Sequence, residues 1–65
     1  MKLNVSGNRF DVTITYNFDS YEGAWWCVET TCNNESICRY DASLKEALKI
    51  LAEEVDYFLR NGKRV

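Results

Sequence analysis

The sequence predicts an α+β fold: an antiparallel β-meander of three to four strands followed by one C-terminal amphipathic helix packed on one sheet face. Three patterns carry this reading. From Phe10 to Asp19 apolar and polar residues alternate without a break, the period of a strand with one dry face and one wet face. From Ser43 to Arg60 the apolar residues recur at helical spacing. Between and before these runs lie short clusters of Gly, Asn, Asp and Ser, the residue types that supply turns. Sixty-five residues make one domain, 1–65, and a chain this short buries only about 60% of the surface it exposes when unfolded.

Taken in order, Met1, Leu3 and Val5 alternate with Lys2 and Asn4 to give a short first strand. The segment Ser6-Gly7-Asn8-Arg9 follows, in which Gly7-Asn8 supplies the positive φ of a tight hairpin turn. The next strand sets Phe10, Val12, Ile14, Tyr16 and Phe18 on the dry face against Asp11, Thr13, Thr15, Asn17 and Asp19 on the wet one. Asp19 to Gly23 is a turn. Ala24 to Cys32 is a strand with Ala24, Trp26, Val28 and Thr30 inward and Trp25, Cys27, Glu29 and Thr31 outward. Asn33-Asn34-Glu35 turns the chain, and Ser36 to Tyr40 is the last strand.

Ser43 opens the helix with a capping box: its hydroxyl accepts from the third helical amide, and Glu46 reaches back to the Ser43 amide. Asn61-Gly62 supplies the left-handed stop. At 100° per residue Leu44, Ala47, Leu48, Leu51, Ala52, Val55, Phe58 and Leu59 share one stripe, which is the core face. Ile50 and Tyr57 fall outside it, seven residues apart on one line, with Glu46 and Glu53 beside them and Glu54 between them and the core. This flank, together with an outward Trp25 on the wet sheet face, is the candidate partner-binding surface, since exposed aromatics mark binding hot spots. The competing reading rolls the helix by about 30°, so that Ile50 touches a sheet edge and Tyr57 packs under the tail. For Trp25 the competing reading has it cover the Asp19 to Gly23 turn or pack on Tyr21.

The residues that carry chemistry are sparse. With no histidine, nothing titrates near pH 7 as a general base, and no Ser or Cys stands in a nucleophile motif. Asp11, Asp19 and Glu29 share the wet face, but an open sheet does not shift carboxyl pKa values towards catalysis. Cys27, Cys32 and Cys38, without a paired C-x₂-C, do not form a tetrahedral zinc site. The expectation is a non-enzyme with no cofactor and no metal. An odd cysteine count without a signal peptide predicts reduced thiols in a cytoplasmic protein. Of the three, only Cys32 and Cys38 could face each other, across the hairpin turn; Cys27 and Cys32, five apart in one strand, point to opposite faces. A formal charge of −2 and a pI near 4.9 disfavour direct contact with nucleic acid and favour a basic protein partner. Arg60, Lys63 and Arg64 complement the helix dipole. No run is long and apolar enough to span a bilayer, and a monomer is expected.

The alternating strand ending near Asp19 to Gly23, two further strands, and then Asp41-Ala42-Ser43-Leu44-Lys45-Glu46-Ala47-Leu48 resemble the N-terminal domain of HicB-type antitoxins, whose helix opens with a similar Ser/Thr-Leu-x-Glu-Ala pattern. The resemblance covers Phe10 to Leu59 and implies an antitoxin domain that neutralises a small basic RNase toxin. This chain departs from the family in lacking its proline-containing segment and its C-terminal DNA-binding domain. In size, charge and architecture the chain is also similar to phage-encoded anti-CRISPR proteins. That resemblance implies a non-catalytic inhibitor occupying a basic nucleic-acid-binding surface of a CRISPR effector complex in the bacterial cytosol. It ranks first because the missing DNA-binding domain suits an inhibitor.

Overall fold

The computed structural model describes residues 1–62; Lys63 and Arg64 lie outside the described residues. Five antiparallel strands form two small sheets, and one helix follows. The strands are β1 (Lys2–Val5), β2 (Asn8–Asp11), β3 (Thr13–Asp19), β4 (Gly23–Cys32) and β5 (Glu35–Asp41), and the helix α1 spans Leu44–Asn61. The α+β class and the C-terminal helix on one sheet face are as the sequence predicts. The strand count is five because the long alternating run divides at Val12.

That division is a change of partner. Before Val12, β2 pairs with β1; after it, β3 pairs with β4. Val12 sits at the joint, its N–H donating to the Met1 carbonyl at 2.8 Å, with its side chain buried. Thr30 Oγ1 donates to the Asp11 carbonyl at 2.6 Å, so this oxygen at the bend has a buried partner.

Each hairpin turn follows from its residues. Ser6 (φ 50°) and Gly7 (φ 80°) are both left-handed, the requirement of a two-residue type I′ loop between Val5 and Asn8. The positive φ therefore falls one residue earlier than the predicted Gly7-Asn8, because Asn8 already pairs with Val5. Asn33 and Asn34 (φ 51° and 66°) make the matching loop between Cys32 and Glu35. In the third turn Asp19 Oδ1 accepts from the Tyr21 and Glu22 amides at 2.7 and 3.1 Å.

The core lies between α1 and one face of the β3-β4-β5 sheet, closed at one end by the β1-β2 hairpin. Val5, Val12, Val28, Cys32, Ile37, Ala47, Leu51, Val55 and Phe58 are buried in it. Ser6 Oγ donates to Asp56 Oδ1 at 2.8 Å, which ties the hairpin tip to the helix. At the helix start Ser43 Oγ accepts from the Glu46 amide at 3.4 Å. The reciprocal half of the predicted box is replaced: the Ser43 amide donates to Asp41 Oδ1 at 2.9 Å. Gly62, at φ 71°, closes the helix by donating to the Phe58 carbonyl.

The helix is rolled relative to the stripe read from the sequence. Its buried residues are Ala47, Leu51, Glu54, Val55 and Phe58, a face displaced by roughly 50° towards Glu54. Arg39, on the helix side of β5, explains the roll: its Nη2 lies 2.6 Å from Glu54 Oε1. This contact lies off the line of an N–H bond, so Oε1 has a charge partner without an aligned donor. Arg39 Nη1 donates to the Cys38 carbonyl. The helix backbone lies over β5, β4 and β1; of β3, Ile14 packs against the core, while Tyr16 and Phe18 stay exposed.

Three stability outcomes follow. Glu54→Ala strands a guanidinium that keeps partial access to water, and costs about 1–3 kcal/mol in urea unfolding. Arg39→Met combined with Glu54→Leu recovers most of that loss, because a matched apolar pair carries no desolvation cost. Leu51→Ala, at a site with no exposed side-chain surface, costs about 2–5 kcal/mol, a large part of what a domain of this length holds.

Candidate functional site

Among the described residues, the face of the β3-β4-β5 sheet opposite α1 has no second layer. Cross-strand register places Thr13, Thr15 and Asn17 of β3, Trp25, Cys27, Glu29 and Thr31 of β4, and Ser36, Cys38 and Tyr40 of β5 on this open face. Arg39, the lone cation of the three strands, points the other way, towards Glu54. The open face is therefore anionic, with Glu29 near its centre and Asp19 at the end of β3. Glu29 accepts from the Ser36 hydroxyl, which fixes its carboxylate across the β4-β5 pair.

Trp25 is half-buried and Tyr40 is exposed on this face. Tyr21 is 97% exposed, so it is not what half-covers Trp25. Trp25 stands opposite Asn17. Cys27 faces Tyr40 in register, and its Sγ lies 3.1 Å from Cys38 Sγ, both as free thiols. The cysteines that meet are thus Cys27 and Cys38, not Cys32 and Cys38. Cys32 belongs to the inward set of β4 and is buried in the core, while Cys38 belongs to the outward set of β5. Burial, then the Cys38 contact, pushes the Cys27 thiol up, and burial alone does the same to Cys32. Hydrogen bonding to Cys38 is the largest cause that pushes the Tyr40 phenol up to about 12.

At the bend, Asp11, Thr13, Glu29, Thr30 and Thr31 line a polar hollow of about 420 Å³. Lys2 pairs with Asp11 and holds its carboxyl below the usual range. That shift opposes a role as proton donor near neutral pH, where a general acid needs a raised pKa. Asp19 is at the far end of β3, occupied in its turn. The three wet-face carboxylates of the sequence therefore do not converge.

The helix flank is changed by the roll. Glu54 is 7% exposed and turned inward to Arg39, so it is not part of a docking surface. Ile50 is half-buried. Glu46 and Glu53 are exposed and Tyr57 is 37% exposed, so these three stay together on the solvent side. Lys45, Lys49 and Arg60 share that side, and Arg60 is paired with Asp56 at 3.0 Å, which makes the strip mixed in charge.

A second apolar surface escaped the sequence reading. Tyr16 is 54% and Phe18 72% exposed on the helix side of β3, although alternation assigns both to the core. Tyr16 meets Trp26 edge to face, with ring centroids 4.9 Å apart. The residues are on the predicted side, but the helix does not cover that part of the sheet. No helix of the described residues is long and apolar enough to cross a membrane. No family model, curated protein or solved structure matches this chain.

Thiol chemistry checks the placement of the cysteines. Near neutral pH, Cys27 should alkylate more slowly than a free model thiol, and Cys32 only on unfolding. Fresh protein denatured without reductant should titrate as three thiols. Rapid labelling of Cys32 in the folded state would contradict its place in the core.

Proposed function

We propose that this chain is a non-catalytic binding protein that inhibits its partner by laying an anionic, aromatic sheet face on a basic, nucleic-acid-binding surface. The observation that carries the reading is the open face of β3-β4-β5: Glu29 and Asp19 without a cation from these strands, and Trp25 and Tyr40 as apolar anchors. Opposite charge speeds encounter with a basic groove, and a few desolvated aromatics supply most of the affinity. A sheet face is also rigid, so little side-chain and backbone freedom is lost on docking. The mixed-charge helix strip of Glu46, Glu53 and Tyr57 is the weaker candidate, because Lys45, Lys49 and Arg60 offset its carboxylates.

The resemblance to phage anti-CRISPR proteins makes a CRISPR effector complex the first partner to test, in a bacterial cytosol. The order β3-β4-β5-α1 favours a second reading, an antitoxin domain that neutralises a small basic RNase toxin, since it is the order that resemblance implies. Neither reading requires a cofactor or a metal.

The test is inhibition and binding with purified effector complexes and, in parallel, with a basic RNase toxin. Trp25→Ala is expected to weaken binding about tenfold or more, and Glu29→Lys to slow association. Glu53→Lys should have little effect. Association should slow as salt rises, with dissociation changing less. Full inhibition by folded Trp25→Ala and Glu29→Lys variants, with loss in Glu53→Lys and Tyr57→Ala, would move the site to the helix.

A further inference from the structure

The two edges of the β3-β4-β5 sheet are built differently. β5 is the guarded one: Glu35, Arg39 and Asp41 lie along it, and α1 packs over it. β3 carries no Lys, Arg or Pro, and its one charge, Asp19, is at its end. Among the described residues β3 pairs only with β4, so its outward amides and carbonyls have no strand partner. An unguarded edge of seven residues is a template for another strand.

The side chains on that edge say which strand fits. We propose that β3 pairs antiparallel with β3 of a second copy of this chain, across a two-fold axis at Tyr16. This register overlaps all of Thr13–Asp19 and keeps like faces together, as sheet pairing requires. On the helix side Tyr16 meets the partner's Tyr16, and Ile14 meets the partner's Phe18. On the open side Thr15 meets the partner's Asn17, and Thr13 meets the partner's Asp19. Every apolar side chain faces an apolar one, every polar side chain faces a polar one, and no two charges of like sign are opposed. The product is a six-stranded sheet with both helices on one side.

This explains the exposure that the monomer leaves unaccounted for. Tyr16 and Phe18, 54% and 72% exposed, gain cross-strand neighbours in the pair, and Trp26 already braces Tyr16 from the β4 side. Four partly exposed aromatic rings offer roughly 400–600 Å², of which their cross-strand neighbours cover a part, and strand pairing adds to this, which makes the interface a small one. A dimer in the micromolar range is therefore expected, against the monomer that the sequence suggests. The inference is independent of the proposed partner, because it uses the edge and helix side of β3 and leaves the open face free.

Sedimentation equilibrium of the full chain across micromolar to submillimolar concentrations tests it. The wild type should pass from monomer to dimer within that range. Tyr16→Lys, which sets two ammonium groups against each other at the axis, and Phe18→Asp should each weaken dimerisation at least tenfold. Thermal unfolding of the dilute protein should be little changed in Phe18→Asp. A mixed sample of isotope-labelled and unlabelled protein should show contacts between Ile14 of one copy and Phe18 of the other, a readout that needs no variant. A wild type that stays monomeric throughout would overturn the proposal. So would a dimer that survives both substitutions and lacks the Ile14 to Phe18 contact.

Discussion

The ion pair between Arg39 and Glu54 sets where the helix lies, and the rest of the surface follows from that placement. Only Ala42 and Ser43 separate β5 from α1, so the helix must begin above the end of β5. Arg39 then draws the Glu54 side of the helix down onto β5, and Ala47, Leu51, Val55 and Phe58 follow it into the core. A carboxylate this buried is tolerated because a guanidinium neutralises it. The consequence is an offset layer among the described residues: α1 covers β4 and β5, the β1-β2 hairpin closes one end, and Tyr16 and Phe18 of β3 are left exposed.

That offset divides the molecule into surfaces of different character. The open face is polar and anionic, with Trp25 and Tyr40 standing among threonines, and it suits a basic partner reached through charge and a few aromatic anchors. The bare edge of β3 is uncharged over most of its length and aromatic on the helix side, and it suits a copy of itself. The solvent side of α1 is mixed in charge, as a helix that needs only solubility would be. The two proposed binding surfaces need not compete. One lies on a sheet face and the other along a sheet edge, and pairing through β3 would extend the open face across both copies.

Most of the fold was legible in the sequence, because the period-2 alternation and the helical stripe report local geometry and burial together. Four features were not. The alternation runs straight through Val12, so nothing local marks the exchange of β1 for β4 as partner; only the tertiary contacts of Met1 and Thr30 reveal it. The roll of the helix was hidden because Glu54 reads as a surface residue until Arg39 is placed opposite it, and that pairing spans two elements. The exposure of Tyr16 and Phe18 was hidden for a related reason: alternation says which side of a sheet a residue takes but not how far the covering layer extends. The Cys27 to Cys38 neighbourhood likewise needed the β4-β5 register, which sets Glu29 against Cys38 and Cys27 against Tyr40. In the candidate site, Trp25 was legible from its outward parity, whereas the lack of a cation from these three strands on its face depended on Arg39 facing inward.

The central claim is that α1 rests on β4 and β5 and leaves Tyr16 and Phe18 of β3 uncovered. Nuclear Overhauser contacts from the helix within one copy test it most directly, separated by isotope filtering from contacts between copies. Leu51 and Val55 should show contacts to Val28 and Ile37, and Glu54 to Arg39, with none from any α1 side chain to Tyr16 or Phe18. Strong contacts from α1 to Tyr16 and Phe18, with none between Glu54 and Arg39, would contradict the account.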